Sequence, residues 1–311
     1  DASVGGDLTI TGALTGNGTI KLDGNYPTAT GNVALGDTAL DSLTTGTDNV
    51  AIGSDSGTAV STGANNTFVG HDSGAATTTA NGNTAIGSQA LLVNTTGGSN
   101  TAVGFKALDA NTTAGNNTAV GKNALTGNTT AANNTAVGLD ALKANTTGAT
   151  NVAIGSVALT ANTTASNNVA VGYAALTANT TGTDNVSVGA LALDANTTAS
   201  QNTAVGRNAL TANTTGHSGI AIGAYALNAN TTGAYNLAIG RDTMVSNTTG
   251  TRNSAVGSNS LDANTTGSHN IAFGYAALTA NTTASYNIAI GDSAMGANTT
   301  GTQNIAIGQD A

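Results

Sequence analysis

The chain lacks most of what builds a compact core. It has no Cys, no Trp and no Glu, a single Pro and two Met, and aromatics make up 3% of it. Without cysteine there is no disulfide framework and no thiolate metal site. Charged residues are only 7%; seven are Lys or Arg, and all sixteen acids are Asp, for a net charge of −9. Such a surface is a poor electrostatic match for nucleic acid or for an anionic bilayer. No run of about 18 apolar residues occurs, so no spanning helix is expected. The expected partners therefore include no nucleic acid, and no membrane insertion is expected. The absence of Cys fits an extracellular address that needs no disulfides. The first residue is Asp1, and Gln309-Asp310-Ala311 stops partway through a repeat, so the sequence reads as a processed or truncated piece.

What is present is small and periodic: 42 Gly, with Ala, Thr, Asn, Val, Ile and Leu. Starting at Gly36, a glycine recurs every 17 residues to Gly308, seventeen times without insertion or deletion. A fixed period of this length signals stacked structural repeats. With that glycine as position 5, position 1 is Asn in sixteen of seventeen repeats, Gly219 being the exception. Position 2 is β-branched or apolar except at Ser254, and position 4 is always apolar. Position 3 is Ala except at Phe68 and Ser187. Position 8 is Ala, Ser or Thr; position 9 is Leu or Met except at Gly57 and Gly74. Positions 12–14 read Asn-Thr-Thr thirteen times running from Asn94 to Asn298, and position 15 is always Gly or Ala.

This pattern predicts an all-β fold, a parallel β-roll or β-solenoid with one coil per repeat. Positions 1–4 form a short strand suited to β-branched residues. Its alternation puts positions 2 and 4 on one face and position 3 on the other. The larger aliphatics of positions 2 and 4 are expected to fill the coil's own core, with Val120, Val137, Ile154 and Val171 in one column. The glycine supplies a bend or a close approach, Leu at position 9 points inward, and Asn-Thr-Thr-Gly makes the wide turn. Seventeen coils at about 4.8 Å make a rod of roughly 80 Å. Asn, aliphatic, Leu and Thr ladders should run along it, with amides satisfied from coil to coil. Residues 1–31 fall outside the period. There Asp7–Thr11 and Gly18–Leu22 alternate like short strands, a separate connecting module before the coils of 32–311. The first three coils are atypical.

No catalytic constellation stands out, and neither a metal site nor a cofactor is expected. His71, His217 and His269 lie in different repeats. Position 10 carries Asp41, Asp109, Asp194 and Asp262, never in adjacent coils, so a calcium ladder is unsupported. Asn-Thr-Thr matches the N-glycosylation pattern, but a turn requires the same residues. Its Thr pairs also suggest an ice-binding array, narrow because each coil contributes one turn.

The half-repeat Asn83-Thr84-Ala85-Ile86-Gly87-Ser88-Gln89-Ala90 resembles the YadA-like head repeat of trimeric autotransporter adhesins. The whole repeat, and the leader Gly5-Gly6-Asp7-Leu8-Thr9-Ile10, are similar to segments of bacteriophage tail-fibre and structural proteins. The resemblance covers about nine-tenths of the chain. It implies a left-handed parallel β-roll assembled as a homotrimer. The adhesin heads use a shorter repeat, and the Asn-Thr-Thr-Gly turn is extra here. The expected function is a structural fibre: a phage tail-fibre or virion-appendage shaft carrying a receptor-binding tip for host attachment. Alternatives are a bacterial adhesin head or stalk at the cell surface, or an ice- or glycan-binding β-solenoid. Individuality sits at positions 6, 7, 16 and 17. Exposed Tyr and Arg there, namely Tyr173, Tyr225, Tyr235, Arg241, Arg252, Tyr275 and Tyr286, are the candidate contacts for a host glycan or protein.

Overall fold

The computed structural model describes residues 30–311; the two short strands expected within 1–29 lie outside the described residues. Seventeen three-residue strands, from β1 (Val33–Leu35) to β17 (Ile305–Ile307), form one parallel sheet. Each strand pairs with the same positions one repeat away, as in Val137↔Ile154 and Ile154↔Val171. The chain is a β-solenoid with a 17-residue coil.

Backbone ladders join the coils well outside the strands. In one coil, Thr101 N–H donates to Asn117 O (2.8 Å), Leu108 N–H to Ala124 O (3.0 Å) and Thr112 N–H to Thr129 O (3.0 Å). In the other direction Gly104 N–H donates to Ile86 O (2.8 Å) and Lys106 N–H to Ser88 O (3.1 Å). The tight path needs left-handed backbone. Positions 7, 9 and 17 sit near φ +50 to +63° in coil after coil, for example Asn123, Leu125 and Asn133. The position 5 glycines are more extreme, at +127 to +143°. A Cβ on Gly172 would lie 2.7 Å from the Gly189 carbonyl carbon, so both dihedral and space demand glycine there.

The strand faces are reversed from the expectation. Position 3 is inward: Ala119, Ala136, Ala153 and Ala170 are fully buried. The aliphatics of positions 2 and 4 point out, and Ile154 is 40% exposed. Val120, Val137, Ile154 and Val171 do share a column, on the outer face. The reason is width. Leu at position 9 fills the coil from the opposite wall, and beside it positions 3 and 8 hold small side chains, Ala in most coils. A β-branched residue on both sides would overpack the layer.

Phe68 shows how tight the layer is. It is the one aromatic at position 3 and is fully buried. A Cβ on Gly57 would meet its ring at 2.8 Å, and one on Gly74 at 2.5 Å. The ring thus occupies two leucine sites, and the exceptions at 57, 68 and 74 are a single compensated substitution. The first three coils fill position 12 with buried Leu43, Val60 and Thr77. Their atypical sequence is an alternative core.

Two buried Asn columns replace apolar packing elsewhere. At position 12, Asn111 Nδ2 donates to Asn94 Oδ1 (2.8 Å) and to Ala114 O in its own turn (3.0 Å). At position 1, Asn117 N–H donates to Asn100 Oδ1 (3.0 Å), and Asn100 Nδ2 donates to the same Ala114 O (2.9 Å). Both amides of a coil therefore clamp its position 15 carbonyl, closing the cross-section. Gly219 breaks one rung: its N–H still donates to Asn202 Oδ1 (2.8 Å), but it offers Asn236 N–H no amide oxygen.

Gly219→Asn should restore the rung and raise stability by about 1 kcal/mol, through the hydrogen bonds and through lower unfolded-state entropy. A lower denaturation midpoint would contradict the role given to this column. For the compensated core, Phe68→Ala alone should destabilise by about 3–5 kcal/mol. The triple variant Phe68→Ala, Gly57→Leu, Gly74→Leu should recover most of that loss. Additive losses across the three sites in denaturant titrations would refute the coupling.

Candidate functional site

Among the described residues, the candidate features are columns on the surface, one residue per coil. The sheet's outer face carries an aliphatic column at position 4, broken only by Phe273, and at position 2 a column of ten apolar residues with Thr or Ser in the other coils. Leu35, Ile52, Ile86, Ile154, Ile222, Phe273 and Ile290 are all more than a third exposed. These are β-branched or large side chains on a pleated surface, where they are at home sterically but not by hydration.

The Asn-Thr-Thr turn divides into distinct roles. Its Asn is buried and held on both sides in twelve of the thirteen glycosylation matches, Asn298 being half-buried, so the acceptor nitrogen is largely hidden. The first Thr donates its hydroxyl to the same position one coil on, as Thr95 does to Thr112 O (3.0 Å). The second, as at Thr113 and Thr130, is exposed. The exposed Thr array is therefore one hydroxyl wide.

The sequence-derived contact residues resolve into separate columns. Tyr173, Arg241 and Tyr275 all occupy position 6, but in every second or every fourth coil, so they do not touch. Arg241 Nε instead pairs with Asp242 (3.1 Å). Tyr225, at position 7, lies under the Arg207 guanidinium (5.9 Å to the ring centroid). Tyr235, Arg252 and Tyr286 belong to one column, position 17. Between the last two stands His269, which the set of candidates from sequence omits. The Arg252 guanidinium lies 5.3 Å from the Tyr235 centroid. His269 and Tyr286 stack at 4.8 Å with planes 7° apart, and His217, at position 16, meets Tyr235 edge-on at 4.8 Å. The signal that would have joined them is position modulo 17.

One His/Asp cluster also escaped the sequence reading, because its members come from adjacent coils at neighbouring positions. Asp55, His71 and Asp72 place ligand atoms within 4.8 Å of one another. His71 Nδ1 is 3.0 Å from Asp72 Oδ2. Hydrogen bonds from the Thr38 and Ser54 hydroxyls hold the Asp55 carboxyl below its ordinary range. These groups could approach a cation, but hydroxyls and imidazole already occupy them.

Position 10 exposes a different mismatch. A Thr there donates to a carbonyl of the previous coil, as Thr126 does to Lys106 O and Thr160 to Asp140 O. Asp109 and Asp194 occupy the same position without a donor when ionised. Each has a buried Oδ1 with no partner, and burial raises both carboxyls above the usual range. Among the described residues, no helix is long and apolar enough to cross a membrane. Comparisons with protein-family models, curated proteins and solved structures found no match.

Asp109→Thr and Asp194→Thr should each stabilise the fold at neutral pH by about 0.5–1 kcal/mol, from a regained hydrogen bond and a removed half-buried charge. The sign follows from the raised folded pKa. The wild-type carboxyls favour folding most when protonated, and that contribution is lost as pH rises from the unfolded value of 3.8 through the folded one. The variants' advantage should therefore shrink on acidification. An advantage that grows below pH 4 would overturn this account.

Proposed function

We propose that the chain is a structural fibre element, the shaft of a virion appendage or tail fibre, assembled as a homotrimer outside the cell to hold a receptor-binding tip away from its base. A bacterial surface adhesin stalk is the same physical object with another anchor. The observation that carries this reading is the apolar stripe on the sheet's outer face. Position 4 is apolar in all seventeen coils and position 2 in ten, with Thr or Ser in the other seven. At a few tens of Å² per side chain the stripe amounts to roughly 800 Å² per chain, about what a partner typically contributes to a stable interface. Monomeric proteins rarely leave so large a contiguous apolar patch in water.

The stripe suits another copy of the chain in particular. Its spacing repeats with the coil, so an identical stripe laid alongside matches it rung for rung. Cyclic closure covers each chain's stripe without leaving an open one. Coil stacking supports the shaft role separately. Each coil rests on its neighbours through backbone ladders and two Asn columns, so length is added without changing the cross-section. The resemblance of Asn83–Ala90 to YadA-like head repeats points in the same direction.

Light scattering on the purified chain should give three times 29.8 kDa. Ile154→Asp should weaken that assembly at least tenfold while leaving single-chain circular dichroism intact, because the side chain is 40% exposed in one chain. Tyr173→Ala should leave the mass unchanged. A monodisperse single chain at micromolar concentration, indifferent to Ile154→Asp, would end the trimer reading.

A further inference from the structure

We propose that the position 17 strip of Tyr235, Arg252, His269 and Tyr286, with His217 beside it, docks an extended acidic polysaccharide along the coil stack. The inference stands whether or not the chain self-assembles.

Side-chain size singles out the strip. Position 17 is left-handed in every coil, and from Asp48 to Ser218 it is filled by Asn, Asp, Gly, Ser, Thr or Gln. Tyr235, Arg252, His269 and Tyr286 hold φ of 59, 55, 60 and 62° with bulky side chains instead. Four consecutive large rungs are a local departure from that pattern.

Charge singles it out again. All three arginines of the chain and two of its three histidines fall within residues 202–291. That stretch holds Asp242 and Asp262 as its only acids, so three Arg against two Asp give +1, leaving −10 for the rest of a chain at −9. Arg241 is neutralised by Asp242. Among the described residues no carboxylate pairs with Arg252; it is exposed and lies over the Tyr235 ring, which pre-orients its donor fork. Tyr235 and Tyr286 are 51% and 57% exposed. The ring contacts run along the stack, leaving phenol, imidazole and guanidinium groups as a row of donors one coil apart.

Shape then selects the partner. The row is one side chain wide and about 15–20 Å long, far below the area a protein interface needs. A single-stranded nucleic acid brings one phosphate per nucleotide and needs a groove rich in cations; this strip offers one permanent cation in four rungs. A polyuronate carries planar carboxylates, which a guanidinium fork matches bidentately, on hydroxyl-bearing rings. It can present a carboxylate to the Arg252 fork and hydroxyls to the flanking Tyr rungs.

The test uses the full chain, with oligogalacturonate, its fully methyl-esterified form and poly(dT) as probes. The wild type should bind oligogalacturonate, more weakly as salt rises, and bind the methyl ester at least tenfold less well. Arg252→Asn should weaken binding about tenfold. It should unfold no earlier than wild type, because Asn suits the left-handed rung. Tyr235→Asn and Tyr286→Asn should behave likewise, whereas Lys122→Gln, at position 6 of a distant coil, should bind as wild type does. If Arg252→Asn proves unstable, Arg252→Lys, which keeps the charge but not the fork, must bind between the two. Equal affinity for the methyl ester, tighter binding of poly(dT), no binding at all, or wild-type affinity in Arg252→Asn would each overturn the proposal.

Discussion

In-register stacking is the constraint from which everything else in this molecule follows. A side chain in one coil has the equivalent side chain of the next coil above it and that of the previous coil below it, so each position must suit a column rather than a site. For a buried polar group this is severe, since no water or distant residue can satisfy it. Asn meets the demand because its amide carries donor and acceptor together. Asn111 donates up the position 12 column while Asn128 donates to it in turn, and the spare N–H turns to a position 15 carbonyl. An Asp in such a column would stack like charges, and a Ser would not reach the turn carbonyl. The scarcity of charge follows from the same rule.

The period, the parallel coils, the inward Leu and the polar ladders could all be read from the sequence, because each rests on repetition. The strand's orientation could not, because hydrophobicity alone misleads in a layer this thin. Position 4 is the most apolar place in the strand, yet Ile154 faces outward and Ala153 inward. What decides is volume: Leu at position 9 already spans the coil, and only a methyl group fits opposite. The sequence did contain a clue in the pairing of Phe68 with Gly57 and Gly74. One large residue at position 3 coincides with two losses at position 9, as it must if both columns share one interior.

The surface columns were harder to read for a different reason. Tyr, Arg and His scattered through variable positions look like one pool until the coil folds them into lines. Tyr173 and Tyr275 share a column yet are separated by six coils, whereas Tyr235 and Arg252 are neighbours. The Asp55, His71 and Asp72 cluster depends on geometry across a coil boundary that spacing alone does not reveal. The orphaned carboxylate oxygens of Asp109 and Asp194 needed the backbone carbonyls to be in place before a missing donor could be seen.

Stacking also separates stability from individuality. Positions 1, 3, 8, 9, 12 and 15 are buried and nearly constant, so the fold draws on six columns and leaves the remainder free to vary. That freedom is unequal. Position 6 accepts Phe105, Lys122, Leu139 and Arg207 without evident strain, whereas position 17 is left-handed and favours Asn, Asp or Gly. A bulky residue at position 6 can therefore be neutral decoration, but four in succession at position 17 oppose the local preference of the backbone. The nearest-neighbour character of the stack makes this affordable, since strain in one column is offset by the ladders of the same coil rather than transmitted along its length. An extended repeat can thus concentrate recognition in a few coils while the others remain nearly identical.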